Sequence, residues 1–143
     1  MNYTIYNPAT GQITGTISTG DSEVATQNLQ NLDYIVGLYN AGQHYIENQQ
    51  AVAKPAKPTD HPFYVFDYFY KNWKVDIDNM QRQMRFQRDE MLTTVDRVNP
   101  IRYASLTQEQ QTELAQYRQA LLDVPQQVNF PTAVTWPAKP QWL

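Results

Sequence analysis

The stretch Lys54-Pro55-Ala56-Lys57-Pro58 constrains the chain more than any other, because its prolines exclude helix and favour an extended, semi-rigid connector. It predicts an N-terminal module over residues 1–59 and a C-terminal part over residues 60–143. With 143 residues in all, each part is small. A segment of about 60 residues buries only about 60% of the surface its unfolded chain exposes, so each part needs support from the other or from a partner.

Before the connector the pattern is mainly one of strands and turns. Tyr3 and Ile5 alternate with polar residues, Asn7-Pro8-Ala9-Thr10-Gly11 carries turn chemistry, and Ile13, Gly15 and Ile17 resume the alternation, which predicts a β-hairpin. Asp21 or Ser22 can cap a short helix reaching about Leu32, with Val24, Ala25, Leu29 and Leu32 as its apolar stripe. Two short strands follow, Tyr34-Ile35-Val36 and His44-Tyr45-Ile46-Glu47, separated by the turn signal Asn40-Ala41-Gly42.

Beyond the connector the aromatic residues concentrate: Phe63, Tyr64, Phe66, Tyr68, Phe69, Tyr70 and Trp73. In an extended chain Tyr64, Phe66, Tyr68 and Tyr70 share one face, and Phe63, Val65, Asp67 and Phe69 the other. Two readings stand: a buried strand returning through Lys71-Asn72 into Trp73-Lys74-Val75, or a strand that leaves Tyr64, Phe66, Tyr68 and Tyr70 as a partner-binding face.

From Asp76 to about Val95 the period becomes helical, with Ile77, Met80, Met84, Met91 and Val95 in step and Arg82, Arg85 and Arg88 on a basic face. Asn99-Pro100 breaks that helix. Thr107-Gln108-Glu109-Gln110 then offers a capping box for a second, whose apolar side is Leu114, Tyr117, Leu121 and Leu122 and whose end is Asp123-Val124-Pro125. The two helices are expected to pack antiparallel through Met84, Met91, Leu114 and Leu121. The remaining tail alternates anchors with prolines in Phe130-Pro131, Trp136-Pro137 and Lys139-Pro140. The expected fold is therefore α+β: a small β-rich N-terminal module with a short helix, then a helical hairpin and an extended Pro-rich tail.

The residues available for chemistry are few. A formal charge of −3 leaves nothing to neutralise a run of phosphates, so nucleic acid is not an expected partner. No apolar run approaches the roughly 20 residues of a membrane helix, and Met1-Asn2-Tyr3-Thr4-Ile5-Tyr6 lacks a basic region followed by an apolar one, so no membrane association is expected. There is no cysteine, His44 and His61 stand in different parts without carboxylates at ligand spacing, and no nucleophile elbow or phosphate-cradling loop is present. Asp76 and Asp78 read as a helix start, and neighbours such as Asp89 and Glu90 point in different directions. No catalytic residue, cofactor or metal site is expected. Ten Tyr, three Trp and five Phe instead suit binding through aromatic surface.

The C-terminal part carries a pattern: Arg88-Asp89-Glu90-Met91-Leu92, Thr94 and Asp96, Leu106-Thr107, Tyr117-Arg118-Gln119-Ala120-Leu121-Leu122-Asp123, Phe130-Pro131 and Trp136-Pro137. It resembles the phage tail assembly chaperone family. Arg97, where an aromatic is common, and Leu122, where a charge is common, depart from it. The beginning is similar to phage tail-fibre-associated proteins through Tyr6, Pro8, Thr10-Gly11 and Ile13, then Tyr45-Ile46, Val52, Lys54-Pro55 and Pro58.

The resemblance implies a non-enzymatic protein that helps to fold, trimerise or attach a tail or tail-fibre protein in the host cytoplasm. Its alternative is a permanent part of the virion tail, such as a fibre-bound, adaptor or collar subunit. The motif residues Arg88, Asp89, Asp96, Tyr117, Arg118, Leu121, Asp123, Phe130, Pro131, Trp136 and Pro137 are expected to be structural. Phe130 and Trp136 either clasp the second helix or dock in a partner's groove, and self-association into a homo-oligomer stays open.

Overall fold

A computed structural model describes residues Met1–Leu143, which form two compact units, Met1–Val75 and Asp76–Leu143. The fold is mixed α+β. The division falls at Val75 rather than at the proline connector, because the aromatic hairpin that follows the connector packs back onto the N-terminal strands. The Phe66 ring, for example, stacks on Tyr45, and the Lys71 ammonium donates to the carbonyl of Thr10 at 2.8 Å.

In the first unit β1 (Asn2–Tyr6) lies between β2 (Ile13–Ser18) and β3 (Tyr34–Val36), antiparallel to both. The β1–β2 turn is closed by the Asn7 carboxamide, which accepts from the Ala9 amide at 2.9 Å, and by the Gly11 amide donating to Asn7 O at 2.7 Å. Thr4 is fully buried at the middle of this sheet. Its hydroxyl donates to Gly37 O at 2.9 Å and accepts from the Tyr39 amide at 3.1 Å, so the polar group is satisfied and it ties down the chain leaving β3.

Helix α1 (Ser22–Leu29) is capped by Asp21, whose carboxylate accepts from the Glu23 and Val24 amides, and it buries Ala25 and Leu29. It stops at Leu29, short of the expected Leu32. The backbone leaves the helix at Gln30, whose ψ is 125°, and Asn31 follows at a positive φ of 64°, so Leu32 cannot join the stripe.

Strand β4 (His44–Glu47) does not pair with β3; its partner is β5 (Gln50–Ala53), a strand the sequence reading passed over. Asn48 and Gln49, both at positive φ, make the two-residue turn between them. The first turn meets this hairpin at Gly11, where the Ile46 amide donates to Gly11 O at 2.8 Å. Gly11 has φ +76°, and a Cβ there would sit 2.2 Å from the Ile46 carbonyl oxygen. Gly11→Ala should therefore cost about 1–3 kcal/mol. A urea midpoint equal to that of the parent would refute it.

The hairpin of β6 (Tyr64–Asp67) and β7 (Asn72–Val75) completes the unit. The aromatic strand is shorter than the sequence suggested. It ends at Asp67, and Tyr68–Lys71 form the turn, with Lys71 at φ 55°. Tyr68 and Tyr70 thus leave the face that an extended chain would have given them beside Tyr64 and Phe66.

The second unit opens with α2 (Ile77–Asp96), capped by the Asp76 carboxylate on the Asn79 amide. After Asn99-Pro100 comes a helix the sequence reading missed, α3 (Pro100–Ser105), in which Asn99 is the cap and Pro100 the first residue. The same dipeptide thus stops one helix and starts the next. Helix α4 (Gln108–Leu122) begins with the expected capping box, both hydrogen bonds between Thr107 and Gln110 being present, and runs into a short 3-10 turn, Val124–Gln126. Helices α2 and α4 pack on each other.

Candidate partner-binding surfaces

In the first unit the aromatic side chains divide into a buried cluster and an exposed tip. Phe66 on β6 is 6% exposed. Its ring stacks on Tyr45 of β4 at 5.6 Å and meets Tyr68 and Trp73 edge-on at 4.9 and 5.3 Å. The Lys54 ammonium stands 4.6 Å from the Phe66 ring centre and donates to Ala41 O and the Tyr68 hydroxyl. A second lysine, Lys71, stands 4.9 Å from the Tyr45 ring and donates to Thr10 O at 2.8 Å. Each cation thus fastens a ring of the cluster to the backbone of a different loop, and the cation–π contacts add to those hydrogen bonds. The arrangement explains why the connector and the aromatic hairpin belong to the first unit.

Tyr64 lies on the flank of this cluster. Its hydroxyl donates to Asp60 at 2.8 Å and its ring stacks flat on His61 at 4.4 Å. The hydrogen bond from Tyr64 holds the Asp60 carboxyl below the usual range and pushes the Tyr64 phenol up. His61 Nδ1 accepts from the Phe63 amide at 3.1 Å, which accounts for the ring's orientation.

At the hairpin tip Phe69 is 84% exposed and Tyr70 76%, with their rings edge to face at 4.9 Å. The tip is held by the Asp67 carboxylate, which accepts from the Phe69 and Tyr70 amides at 2.9 and 3.1 Å and lies 3.4 Å from Lys74. The Tyr70 amide is the chief cause of a lowered Asp67 pKa, with the Phe69 amide and Lys74 acting in the same sense against the effect of burial. Of the four aromatics expected to share a binding face, then, Phe66 is buried, Tyr64 and Tyr68 are half-buried, and Tyr70 projects with Phe69.

The second unit is organised by one core cluster of Val95, Leu114, Tyr117 and Leu121, with Met91, Leu92, Val98, Leu106, Trp142 and Leu143 packed against it. Burial raises the pKa of the Tyr117 phenol. Arg118 on α4 donates to Asp96 at the end of α2 at 3.2 Å, and Arg88 pairs with its neighbour Asp89 at 2.7 Å. Asp123 caps α4 and its carboxylate accepts from the Gln119 side chain.

The tail after α4 is fastened by polar contacts as well as by rings. The Gln127 carboxamide bonds both the amide and the carbonyl of Thr135, at 2.9 and 2.8 Å, closing a loop that contains Phe130 and the buried Pro131. Phe130 lies under the Arg85 guanidinium of α2 at 5.6 Å, so its contact is with the long helix. Trp142 is the aromatic that reaches the core: its indole donates to Glu113 of α4 at 2.7 Å and its carbonyl accepts from Arg102 of α3 at 3.1 Å. Trp136 and Pro137 are half-buried, and Pro137 helps to line an open cleft of 590 Å³ between the tail and α4.

Residues 81–141, nearly all of this unit, match the family described as phage tail assembly chaperone protein. The likeness to that family spans this segment, less than half of the chain. Searches of curated proteins and of solved structures returned no match. Within the matched segment the motif comprises core residues (Tyr117, Leu121), ion pairs (Arg88 with Asp89, Asp96 with Arg118), a helix cap (Asp123) and tail residues (Phe130, Pro131, Trp136, Pro137). Sequence reasoning missed Trp142, whose signal was a second Trp following Lys139-Pro140. No group of three or more His, Asp or Glu side chains is placed to hold a metal ion, and no helix is long and apolar enough to cross a membrane.

Proposed function

We propose that the chain is a non-catalytic phage tail assembly factor that holds a tail or tail-fibre protein while the tail is built in the host cytoplasm. The observation that carries this reading is the coincidence of the matched segment with a folded unit: residues 81–141 fall inside Asp76–Leu143. The family description supplies the tail, and the aromatic hairpin of the first unit supplies a contact surface. Phe69 and Tyr70 offer apolar area with a hydrogen-bonding hydroxyl, on a turn whose backbone Asp67 already holds, so little loop entropy is lost on binding. Phe66 is buried and Tyr64 and Tyr68 are half-buried, so the contact rests on Phe69 and Tyr70.

The test is co-expression with the tail and tail-fibre proteins encoded beside this chain, comparing the parent with Phe69→Ala/Tyr70→Ala. Both residues are exposed, so the unfolding midpoint should hardly move, whereas partner recovery should fall about tenfold or more, as for truncated interface anchors. Full recovery by the folded double variant would remove the tip from the contact. Mass spectrometry of purified virions separates an assembly factor that departs from a subunit that stays.

A further inference from the structure

The three-stranded sheet has two open edges of unlike character. On β2 the register with β1 shifts between Ile5 and Tyr6, so a bulge interrupts that edge. The edge at β3 has no such irregularity: Tyr3, Thr4 and Ile5 face Val36, Ile35 and Tyr34 in unbroken order. The Tyr6 amide donates to Asp33 O and the Gly37 amide to Asn2 O, at 3.0 and 2.8 Å, so Asp33, Gly37 and, by alternation, Ile35 turn their backbone groups to β1. The N–H and C=O groups of Tyr34 and Val36 point the other way, into solvent. Their side chains are exposed as well, Tyr34 by 44% and Val36 by 60%.

We infer that β3 pairs antiparallel with β3 of a second copy of this chain, about a two-fold axis through Ile35. In that register Tyr34 lies opposite Val36 of the second copy, twice over, which is the aromatic with β-branched pairing that sheets favour. The outward backbone groups of both residues find partners, and the two sheets join into one continuous antiparallel sheet. No Lys or Pro guards the strand, and Asp33 falls opposite Gly37, so no like charges meet although each chain carries −3. The strand has three residues, so the side-chain pairs carry a large share of the association.

The pairing is tested by sedimentation over a wide concentration series with two variants that lose the same side chains. Tyr34→Lys/Val36→Lys sets Lys against Lys across the axis, and Tyr34→Lys/Val36→Glu sets Lys against Glu. The parent should dimerise. The Lys/Lys variant should dissociate about tenfold or more readily, even though its formal charge changes from −3 to −3 + 2 = −1 and general repulsion falls. The Lys/Glu variant should recover the dimer. Circular dichroism establishes that both fold. In the parent, amide exchange at Tyr34 and Val36 should slow as concentration rises while Ile35, already bonded to β1, is unaffected. A monomeric parent, a Lys/Lys variant that associates as the parent does, or a Lys/Glu variant that stays monomeric would each overturn the pairing.

Discussion

Leu121→Ala is expected to remove about 2–5 kcal/mol of unfolding free energy, the range for emptying a fully buried leucine site. Leu121 is completely inaccessible and sits in one cluster with Val95, Leu114 and Tyr117, where helix α2 lies on α4. Truncation there loses the transfer energy of the side chain and leaves a space that two packed helices fill only in part. Small domains have about 5–15 kcal/mol of stability in all, so this change alone can bring the C-terminal unit near unfolding at moderate temperature. The measurement is urea denaturation followed by helical circular dichroism, with Val128→Ala as the control. Val128 is 99% exposed, and its truncation should move stability by less than about 0.5 kcal/mol. Equal losses from the two substitutions would show that Leu121 is not the centre of the core.

That leucine was legible in the sequence because a helix announces its buried side by a period that tertiary packing rarely overrides. Leu114, Tyr117 and Leu121 recur at helical spacing, and the Thr107/Gln110 box marks where α4 starts. Met91 and Val95 were likewise readable on α2, whereas Met84, expected in the same seam, is half-buried and outside the core cluster. Periodicity says which side is apolar; it does not say how far along the helix a partner covers it. The tail was less readable for a different reason. Its contacts rest on single side chains meeting distant groups, such as Trp142 with Glu113 and Gln127 with Thr135, and no local pattern encodes such pairs.

In the N-terminal unit the turns decided what could be foreseen. Asn7-Pro8 through Gly11 uses residue types with a strong preference for turns, and the hairpin appeared where expected. Asn48-Gln49 makes a two-residue turn in which Gln49 takes a positive φ without being Gly, Asn or Asp, so β5 was missed. The Tyr68–Lys71 turn hid in the same way, inside an aromatic run that reads as one strand. Asp67 is the residue that breaks that run, since its carboxylate draws in the Phe69 and Tyr70 amides that a continuing strand would offer to a neighbour. The aromatic residues of this run were therefore legible as a group, but their geometry is a buried ring cluster with a projecting tip in place of a flat face.

Phe66→Ala separates those two geometries. On a partner-facing strand the substitution would leave the free protein's stability almost unchanged and weaken binding alone. In the observed arrangement it should cost about 3–5 kcal/mol, because the ring is 6% exposed and is the common neighbour of Tyr45, Tyr68, Trp73 and the Lys54 ammonium. Lys54→Met keeps most of the side-chain length and removes the ammonium, so it tests the cation–π contacts together with the bonds to Ala41 O and the Tyr68 hydroxyl, about 1–3 kcal/mol in all. The two changes should be less than additive, since removal of the ring also removes one of the surfaces against which the lysine is held. The local reporter is the Trp73 indole N–H, bonded to Pro55 O. Its exchange with solvent should accelerate in Phe66→Ala, as the connector comes free of the hairpin, and change less in Lys54→Met. A Phe66→Ala protein with the parent's midpoint and a protected Trp73 indole would place the ring at an interface after all.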